Sequence, residues 1–203
     1  MILIKIENLT KKYKEKVLLE KLNFTFSPGI YWLKGSNGQG KSTFFDIVAG
    51  LDHNITGKVK VDRNKMLYLT NYPIGLLPFT VSENLAILFK TFDLHLSSTQ
   101  EEILNVFLDN SLSDPYSVLS TGQKMKIGLS LVLLADWNIV LLDETFSTID
   151  TESRDILVSR LNYLVSQKGT IVIYVSHGEV SPKLTKISKI ISIKNKRFVY
   201  ERE

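Results

Sequence analysis

The segment with the clearest chemical capability is a glycine-rich loop, Gly35 to Ser42, that reads Gly-Ser-Asn-Gly-Gln-Gly-Lys-Ser. It fits G-x-x-x-x-G-K-[ST] and lies between the strand-like run 30–33 and a helical run from Lys41, a context that a chance glycine turn would not share. Glycines let backbone N–H groups turn toward phosphate oxygens, and the helix start adds partial positive charge. Lys41 is placed to reach terminal phosphates, and the Ser42 hydroxyl to ligate Mg²⁺. The predicted phosphate contacts are Gly35, Ser36, Asn37, Gly38, Gln39, Gly40, Lys41, Ser42 and Thr43.

A second candidate is the carboxylate pair Asp143 and Glu144, which ends the buried-strand run 139–142. A carboxylate at the C-terminal end of a strand projects into the crevice where α/β sheets bind ligands, so Asp143 is placed to hold Mg²⁺. Glu144 is then free to orient or deprotonate water that attacks a γ-phosphate. An acidic strand end alone is also typical of a surface cap. Beside the glycine loop it favours a hydrolase over a passive nucleotide binder.

The elements that must position these residues follow from the hydrophobic pattern. Short runs rich in Ile, Val and aromatic residues indicate strands, and longer runs with helical periodicity indicate helices between them. The predicted strands are 2–6, 16–26, 30–34, 58–61, 66–69, 139–142, 171–175, 188–193 and 198–200. The predicted helices are 41–49, 80–92, 99–109, 122–135 and 151–166, with capping boxes at Thr80–Glu83 and Ser98–Glu101. Alternating strands and helices predict an α/β fold with a helical insert from 80 to about 119.

The composition narrows the class of protein. The 203 residues, 44% of them hydrophobic, allow one globular domain. The absence of cysteine excludes disulfides, thiolate metal sites and Cys nucleophiles. The net charge is only +4, and no basic stripe with interleaved aromatic residues favours a nucleic-acid partner. The most apolar segment, 129–142, is shorter than the ~20 apolar residues of a membrane helix, and the start of the chain is expected to be a strand rather than a signal peptide.

A further motif, Leu-Ser-Thr-Gly-Gln at residues 119–123, resembles the signature of ATP-binding-cassette (ABC) ATPases, usually written LSGGQ. Other motifs of that family follow the same order and spacing from residue 9 to residue 177. Small GTPases and kinases, which also have a phosphate loop, lack a signature just before the acidic strand. The remaining likenesses are to the A-loop at 9–13, the Walker B strand with its Glu at 141–144, the D-loop at 147–150 and the switch-histidine loop at 175–177.

The resemblance implies a fold and a domain organisation. The fold is a P-loop NTPase core with an N-terminal antiparallel β subdomain and a short helical insert that carries the signature motif. Residues 1–203 are then a single ABC ATPase domain. Within it, residues 1–79 and about 120–203 form the catalytic α/β core, and residues about 80–119 form the helical subdomain that leads into the signature.

The resemblance also implies roles for residues outside the phosphate loop. Tyr13 is expected to stack on adenine, with an ordinary exposed tyrosine as the alternative. His177, at a strand end, is expected to hydrogen-bond the γ-phosphate. The predicted catalytic residues are Glu144, His177 and Lys41. The predicted contacts to the nucleotide of a second copy are Ser120, Gly122 and Gln123, which lie where a helix begins at about 122 and expose hydroxyl and N–H groups as another anion site.

One position departs from the family pattern. The family places a Gln after the strand that leads into the insert, and counting back from Thr80 gives Asn71 there, or Tyr72 with a shift of one residue. Asn offers the same amide on a stem shorter by one CH₂. Asn71 is therefore a predicted Mg²⁺-site residue with Ser42 and Asp143. Its contact is expected to run through a bridging water, with a lost contact as the alternative.

The function implied is that of the ATP-hydrolysing subunit of a transporter, with ATP and Mg²⁺ as cofactors. Its partners are a separate transmembrane subunit and a second copy or related ATPase in a head-to-tail dimer, with no nucleic acid. The location is the cytoplasm, peripheral on the inner face of the cell membrane. Export of a peptide, drug or lipid-like molecule is expected, because members that act on DNA or ribosomes need extra arms, domains or a second cassette. The alternative is a non-transport ABC ATPase that drives a soluble or envelope assembly process.

Overall fold

The computed structural model describes residues 3–201, which form two β-sheets and six α-helices. A three-stranded antiparallel sheet has the order β2-β1-β4, and a six-stranded sheet has the order β5-β6-β7-β3-β8-β9. The strands are β1 (Ile4–Tyr13), β2 (Lys16–Phe26), β3 (Gly29–Lys34), β4 (Thr56–Val61), β5 (Met66–Leu69), β6 (Ile139–Asp143), β7 (Ile171–Val175), β8 (Ser188–Lys194) and β9 (Arg197–Tyr200). The helices are α1 (Lys41–Ala49), α2 (Val81–Thr91), α3 (Ser98–Phe107), α4 (Thr121–Leu134), α5 (Thr151–Lys168) and α6 (Pro182–Ile187).

The central strands of the larger sheet are buried on both faces, which explains why their sequences are almost continuously apolar. In β3, Ile30 and Trp32 pack into one hydrophobic cluster with α4 and α5, while Tyr31 and Leu33 pack into a second cluster with α1 and the antiparallel sheet. The alternation follows from the two-residue period of a strand. The predicted α/β class, with an antiparallel subdomain beside the core, is confirmed.

The order of the parallel strands brings four loops to one edge of the sheet. β5, β6, β7 and β3 are consecutive neighbours and run parallel, so their C-terminal ends lie side by side. The loops that leave these ends begin near Asn71, Asp143, Ser176 and Gly35, and they are far apart in sequence. This edge is the crevice in which open α/β sheets bind ligands.

The insert consists of α2, α3 and a short 3-10 turn, and backbone hydrogen bonds close its base. The Tyr116 N–H donates to the Phe79 carbonyl at 2.9 Å, and the Val81 N–H donates to the Asp114 carbonyl at 3.0 Å. The predicted capping box at Thr80 is confirmed. The division of the domain at residues 79 and 119 stays a prediction.

Several local predictions need correction. The second capping box is formed by Ser97 and Gln100, one residue before the predicted Ser98 and Glu101, so α3 begins at Ser98. Strand β1 continues to Tyr13, because its register with β2 shifts at bulges and the pairing resumes beyond them. Helix α6 was not predicted, since six residues beginning at Pro182 are too few for a periodic signal. The first residue of the predicted strand 2–6 lies outside the described residues.

Candidate functional site

The glycine-rich loop joins the end of β3 to the start of α1 and leaves the helix terminus open. Gly40 is the N-cap residue with φ +95°, and no side chain caps the first turn. Gly38 also has a left-handed φ, +73°. Only glycine adopts these angles at little cost, and the uncapped N–H groups of the first turn are natural anion donors. The loop therefore has the geometry of a phosphate site.

Lys41 and Ser42 occupy the first two positions of α1. The buried Lys41 ammonium donates to the Gly35 carbonyl at 2.8 Å and the Ser36 carbonyl at 3.1 Å, so it lies across the loop. The Ser42 hydroxyl lies near the Asp143 carboxylate, and both line the same cavity. Burial raises the pKa of Asp143, and the nearby Ser42 hydroxyl and the Lys41 charge oppose that shift without cancelling it. The structure thus brings together a hydroxyl and a carboxylate, both oxygen ligands suited to Mg²⁺.

Glu144 and His177 form a close pair at the same edge. Glu144 Oε2 lies 2.8 Å from His177 Nε2. Glu144 has a left-handed φ of +59°, which is uncommon for a residue with a side chain, and its N–H donates to the Val175 carbonyl at 3.1 Å. A backbone held in a sparsely populated conformation is typical of functional sites. The structure therefore places a carboxylate and an imidazole in direct contact at this edge, and their catalytic roles stay predictions.

These residues surround one cavity of about 520 Å³. The cavity extends from the exposed ring of Tyr13 at the end of β1 to His177 beyond β7. It is open to solvent, and the Lys16 and Lys41 ammonium groups in its wall suit an anionic ligand. Its lining contains Tyr13, Lys16, Leu18, Asn37, Gly38, Gly40, Lys41, Ser42, Thr43, Asn71, Asp143, Glu144 and His177.

Three predicted phosphate contacts are not among the lining residues of this cavity. The Gly35 carbonyl is a Lys41 acceptor, and the Ser36 N–H donates to the Gln39 side-chain oxygen at 2.9 Å. Ser36 and Gln39 line a neighbouring groove, which shares Asn37 and Gly38 with this cavity. These residues shape the loop in the described structure, and their predicted contact with phosphate stays a prediction.

Lys16 and Leu18 line the cavity but were not among the predicted site residues. The Lys16 ammonium donates to the Gly38 carbonyl at 3.3 Å, which joins β2 to the loop. Leu18 leaves little room for a side chain at position 40, because a Cβ on Gly40 would lie 3.2 Å from the Leu18 Cβ. No motif reveals such neighbours, since the contact joins residues more than 20 positions apart in sequence. The nearest sequence signal is their position in the strand that directly follows Tyr13.

The structure places Asn71, rather than Tyr72, in the cavity wall. The Tyr72 side chain is 76% exposed, and its N–H donates to the Thr70 hydroxyl at 3.3 Å. Of the two candidates for the Gln position, Asn71 is therefore the one near Asp143. The role of its amide stays a prediction.

Ser120, Gly122 and Gln123 lie at the start of α4 and do not line the cavity. Ser120 is exposed, and its side-chain oxygen accepts the Gln123 N–H at 3.3 Å as a helix cap, which leaves the O–H able to donate, so its predicted contact stays a prediction. In return, the Gln123 side-chain oxygen accepts the Ser120 N–H at 3.0 Å. Gly122 packs against the backbone at Thr148, since a Cβ would lie 2.5 Å from the Thr148 carbonyl oxygen. Within one chain, the signature residues and the phosphate loop do not form a common cavity.

Comparison with known proteins gives consistent findings. The profile of the ABC transporter family matches residues 19–147. The Nod factor export ATP-binding protein I of Sinorhizobium fredii is 29% identical over 197 residues, which are 89% of this chain and 57% of that protein, so the chain spans little more than half of that relative. The cytochrome c biogenesis ATP-binding export protein CcmA of Bartonella henselae is 31% identical over 175 residues, covering 82% and 84% of the two chains.

An import protein and a solved structure are each similar to this chain over most of its length. The zinc import ATP-binding protein ZnuC of Wolbachia pipientis is 29% identical over 197 residues, covering 95% of this chain and 80% of that protein. The structure of an ATP-binding subunit of an ABC transporter superposes with a TM-score of 0.80 at 21% identity, covering 98% of this chain and 89% of the other. At that identity the superposition shows a common fold. Over residues 3–201, none of the helices combines the length and apolarity needed to cross a bilayer.

Proposed function

The chain belongs to the ABC transporter family of ATP-binding proteins, whose members are ATPases, and from this we propose that it binds and hydrolyses MgATP to power a membrane transporter. One observation carries the proposal. The Glu144–His177 pair, the Ser42–Asp143 pair and Lys41 line a single cavity at the carboxyl edge of the sheet. Binding alone needs only the phosphate loop, whereas the Glu144 carboxylate supplies a base for the attack of water.

Each residue of the cavity has a proposed role that follows from its position. The open N-terminus of α1 and the Lys41 ammonium hold the phosphates, and the Tyr13 ring at the far end of the cavity offers a stacking face for the base. Ser42 and Asp143 fit Mg²⁺, which when bound neutralises charge on the phosphates. The Glu144 carboxylate accepts the proton from water at Oε2 or Oε1. The His177 imidazole orients that carboxylate in the described state.

A membrane subunit on a separate chain is the proposed partner, which places the chain at the cytoplasmic face of the membrane. The segment that follows Asn71 supports this, because the Tyr72, Leu76 and Leu77 side chains are more than half exposed. Three exposed large apolar side chains within six residues of one surface loop are typical of an interaction site. We propose export of a peptide, drug or lipid-like molecule, although the relatives' names divide between export and import.

A second copy or related ATPase is the other proposed partner. The Ser120 and Gly122 segment does not line the cavity that holds Lys41, so it can contribute to a phosphate site only across an interface. Head-to-tail pairing of two copies would place each signature over the loop of the other. ATP then acts as the bridge, which makes the dimer dependent on bound nucleotide.

The decisive experiment replaces the proposed base. Glu144→Gln keeps size and polarity but removes the proton acceptor, so ATP binding is expected to persist while turnover falls by roughly 10²-fold or more. Because hydrolysis then no longer separates the copies, gel filtration with ATP should show a dimer. Glu102→Gln, on the exposed surface of α3, is the matched control. Turnover near the wild-type rate in Glu144→Gln would contradict the assignment.

A further inference from the structure

Lys126 is a buried cation that the proposed chemistry leaves unused. It lies in α4 four residues after Gly122, so the two residues share one face of the helix. Only 3% of its side chain is exposed. Burying an ammonium group without partners is strongly unfavourable, so its partners must offset the loss of hydration.

The partners of Lys126 are two aspartates on different elements. Its ammonium lies 2.8 Å from Asp109 Oδ2 and 2.7 Å from Asp150 Oδ2. Asp109 follows the end of α3 in a left-handed conformation, with φ +56°. Asp150 is the N-cap of α5 and accepts the Ser153 N–H at 2.8 Å. One side chain therefore ties the signature helix to the end of the insert and to the start of α5.

A second contact joins the same elements one helical turn earlier. Gly122 approaches the Thr148 carbonyl so closely that any side chain at position 122 would collide with it. The first turns of α4 thus lie against residues 147–150, the segment that resembles the family's D-loop. We call these four residues the connecting segment. The first residue of this segment contacts the proposed base, because the Ser147 hydroxyl donates to the Glu144 carbonyl at 3.1 Å. The contacts form a continuous path from Lys126 to Glu144.

The pKa shifts of Lys126 and Asp150 keep both groups charged. Burial acts to raise the pKa of Asp150, but hydrogen bonds from Lys126 and Ser153 outweigh it and hold that pKa well below the usual range. Burial acts to lower the pKa of Lys126, but its two aspartates hold that pKa above the usual value. Both groups are therefore charged at neutral pH.

We propose that Lys126 is a positioning residue for ATP hydrolysis, which fixes the signature helix and the connecting segment relative to Glu144 through its contacts with Asp150 and Asp109. The inference rests on the proposed function. It assigns Lys126 no contact with nucleotide, because Lys126 does not line the cavity. Its loss should misplace the Glu144 carboxylate without weakening the phosphate loop, and small misplacements of catalytic groups cost up to roughly 10²-fold in rate.

The first test is Lys126→Met, which keeps the apolar stem and removes the charge. We expect kcat to fall by roughly 10- to 100-fold while the KM and the Kd for ATP stay within about twofold. Lys126→Arg, which can bridge two carboxylates, should recover most of the rate. A merely structural role would instead lower the thermal midpoint and reduce binding and turnover together.

The second test removes the charges on the partners and keeps their local backbone roles. Asp150→Asn still caps α5, because Asn is an equally good N-cap, and Asp109→Asn still tolerates a left-handed φ. We expect both variants to fold, because Lys126 keeps one charged partner in each of them. Asp150→Asn should lower kcat more than Asp109→Asn, because only Asp150 ends the connecting segment. Wild-type kcat in Asp150→Asn would overturn the inference.

The outcome for the wild type separates this inference from the proposed function. A wild-type chain that binds ATP but never turns it over would contradict the proposed function, and the inference with it. An active wild type with an inactive Glu144→Gln and a fully active Lys126→Met would keep the proposed function and reject the role of Lys126.

Discussion

At the site, individual side chains differ in how firmly they are already held by protein partners. Lys41 is bonded to two carbonyls of its own loop and Glu144 to His177, so both must exchange a protein contact for one with ligand or water. Among residues 3–201, the Lys16 ammonium has one longer hydrogen bond, 3.3 Å to the Gly38 carbonyl. A weakly held ammonium in the cavity wall is ready to pair with an anionic ligand.

Lys16→Gln is expected to raise the KM for ATP by about 3- to 10-fold with little change in kcat, because the side chain lies near Gly38 rather than near Glu144. The variant should also lose part of the salt dependence of binding. Nucleotide titrations at two ionic strengths would measure this. Lys12→Gln, exposed and outside the cavity lining, is the control. An unchanged KM and salt slope in Lys16→Gln would show that Lys16 does not contact the nucleotide.

Asn71→Ala is expected to raise the barrier to hydrolysis by roughly 1–3 kcal/mol, about 5- to 150-fold in rate, because a polar contact at the site is lost. Asn71→Gln should leave the basal rate within a few-fold or raise it. Steady-state assays across a Mg²⁺ titration would test both. Tyr72→Ala, at the exposed neighbouring position, should hydrolyse ATP at the wild-type basal rate. An Asn71→Ala chain with unchanged rate and Mg²⁺ dependence means that this loop senses nothing at the nucleotide.

Among the elements, the two helices of the insert and the signature helix α4 depend on their caps. Helices α2, α3 and α4 all begin with reciprocal capping boxes, which satisfy N–H groups that a helix cannot pair internally. α3 is amphipathic and packs against α4 through Leu104 and Phe107. Its position decides where Asp109 lies, so the cap and the contact with Lys126 belong to the same part of the molecule.

Ser97→Ala is expected to destabilise the chain by about 1 kcal/mol, the usual cost of losing an N-cap, because the Gln100 N–H loses its acceptor. Ser98→Ala should be neutral or slightly stabilising, since Ser98 is the first helical residue and alanine is the best helix former. Urea unfolding of the two variants would decide between them. Equal effects, or a larger loss in Ser98→Ala, would contradict the observed start of α3.

Across the whole molecule, ion pairs connect elements that are distant in sequence. Lys11 of β1 pairs with Asp52 beyond α1, Lys168 at the end of α5 pairs with Asp136, and Lys126 pairs with Asp150. Hydrogen bonds from Lys11 and from Lys168 lower the pKa of Asp52 and Asp136, respectively. The first pair joins the antiparallel sheet to the core, and the other two join elements within the core, alongside the two hydrophobic clusters.

Stability is expected to fall in acid. A carboxyl whose folded pKa lies below its unfolded value takes up protons first in the unfolded chain, so its contribution is complete above about pH 4 and is lost as pH falls through the folded pKa. Urea unfolding at pH 6 and pH 3 would measure the loss, and Asp136→Asn should reduce it. Because these pairs are partly exposed, 1 M salt should also shrink the difference. A free energy of unfolding equal at both pH values would contradict the role of these pairs.

The sequence alone determined the family, the α/β class and the contiguous parts of the site. The phosphate loop could be found because its chemistry requires certain residue types at fixed spacing within one turn, and the acidic pair because it ends an apolar strand. Strand runs such as 139–142 were close to the observed bounds, since buried parallel strands have a continuous apolar signal.

Only the tertiary structure decided which distant residues meet. The choice of Asn71 over Tyr72, the presence of Lys16 in the cavity wall and the burial of Lys126 all depend on strand order and on how α4 packs. No local pattern encodes these contacts, because a lysine on a helix surface and a lysine buried between two aspartates have the same sequence signature. Their positions follow from the packing of the whole chain, in which side chains far apart in sequence become neighbours.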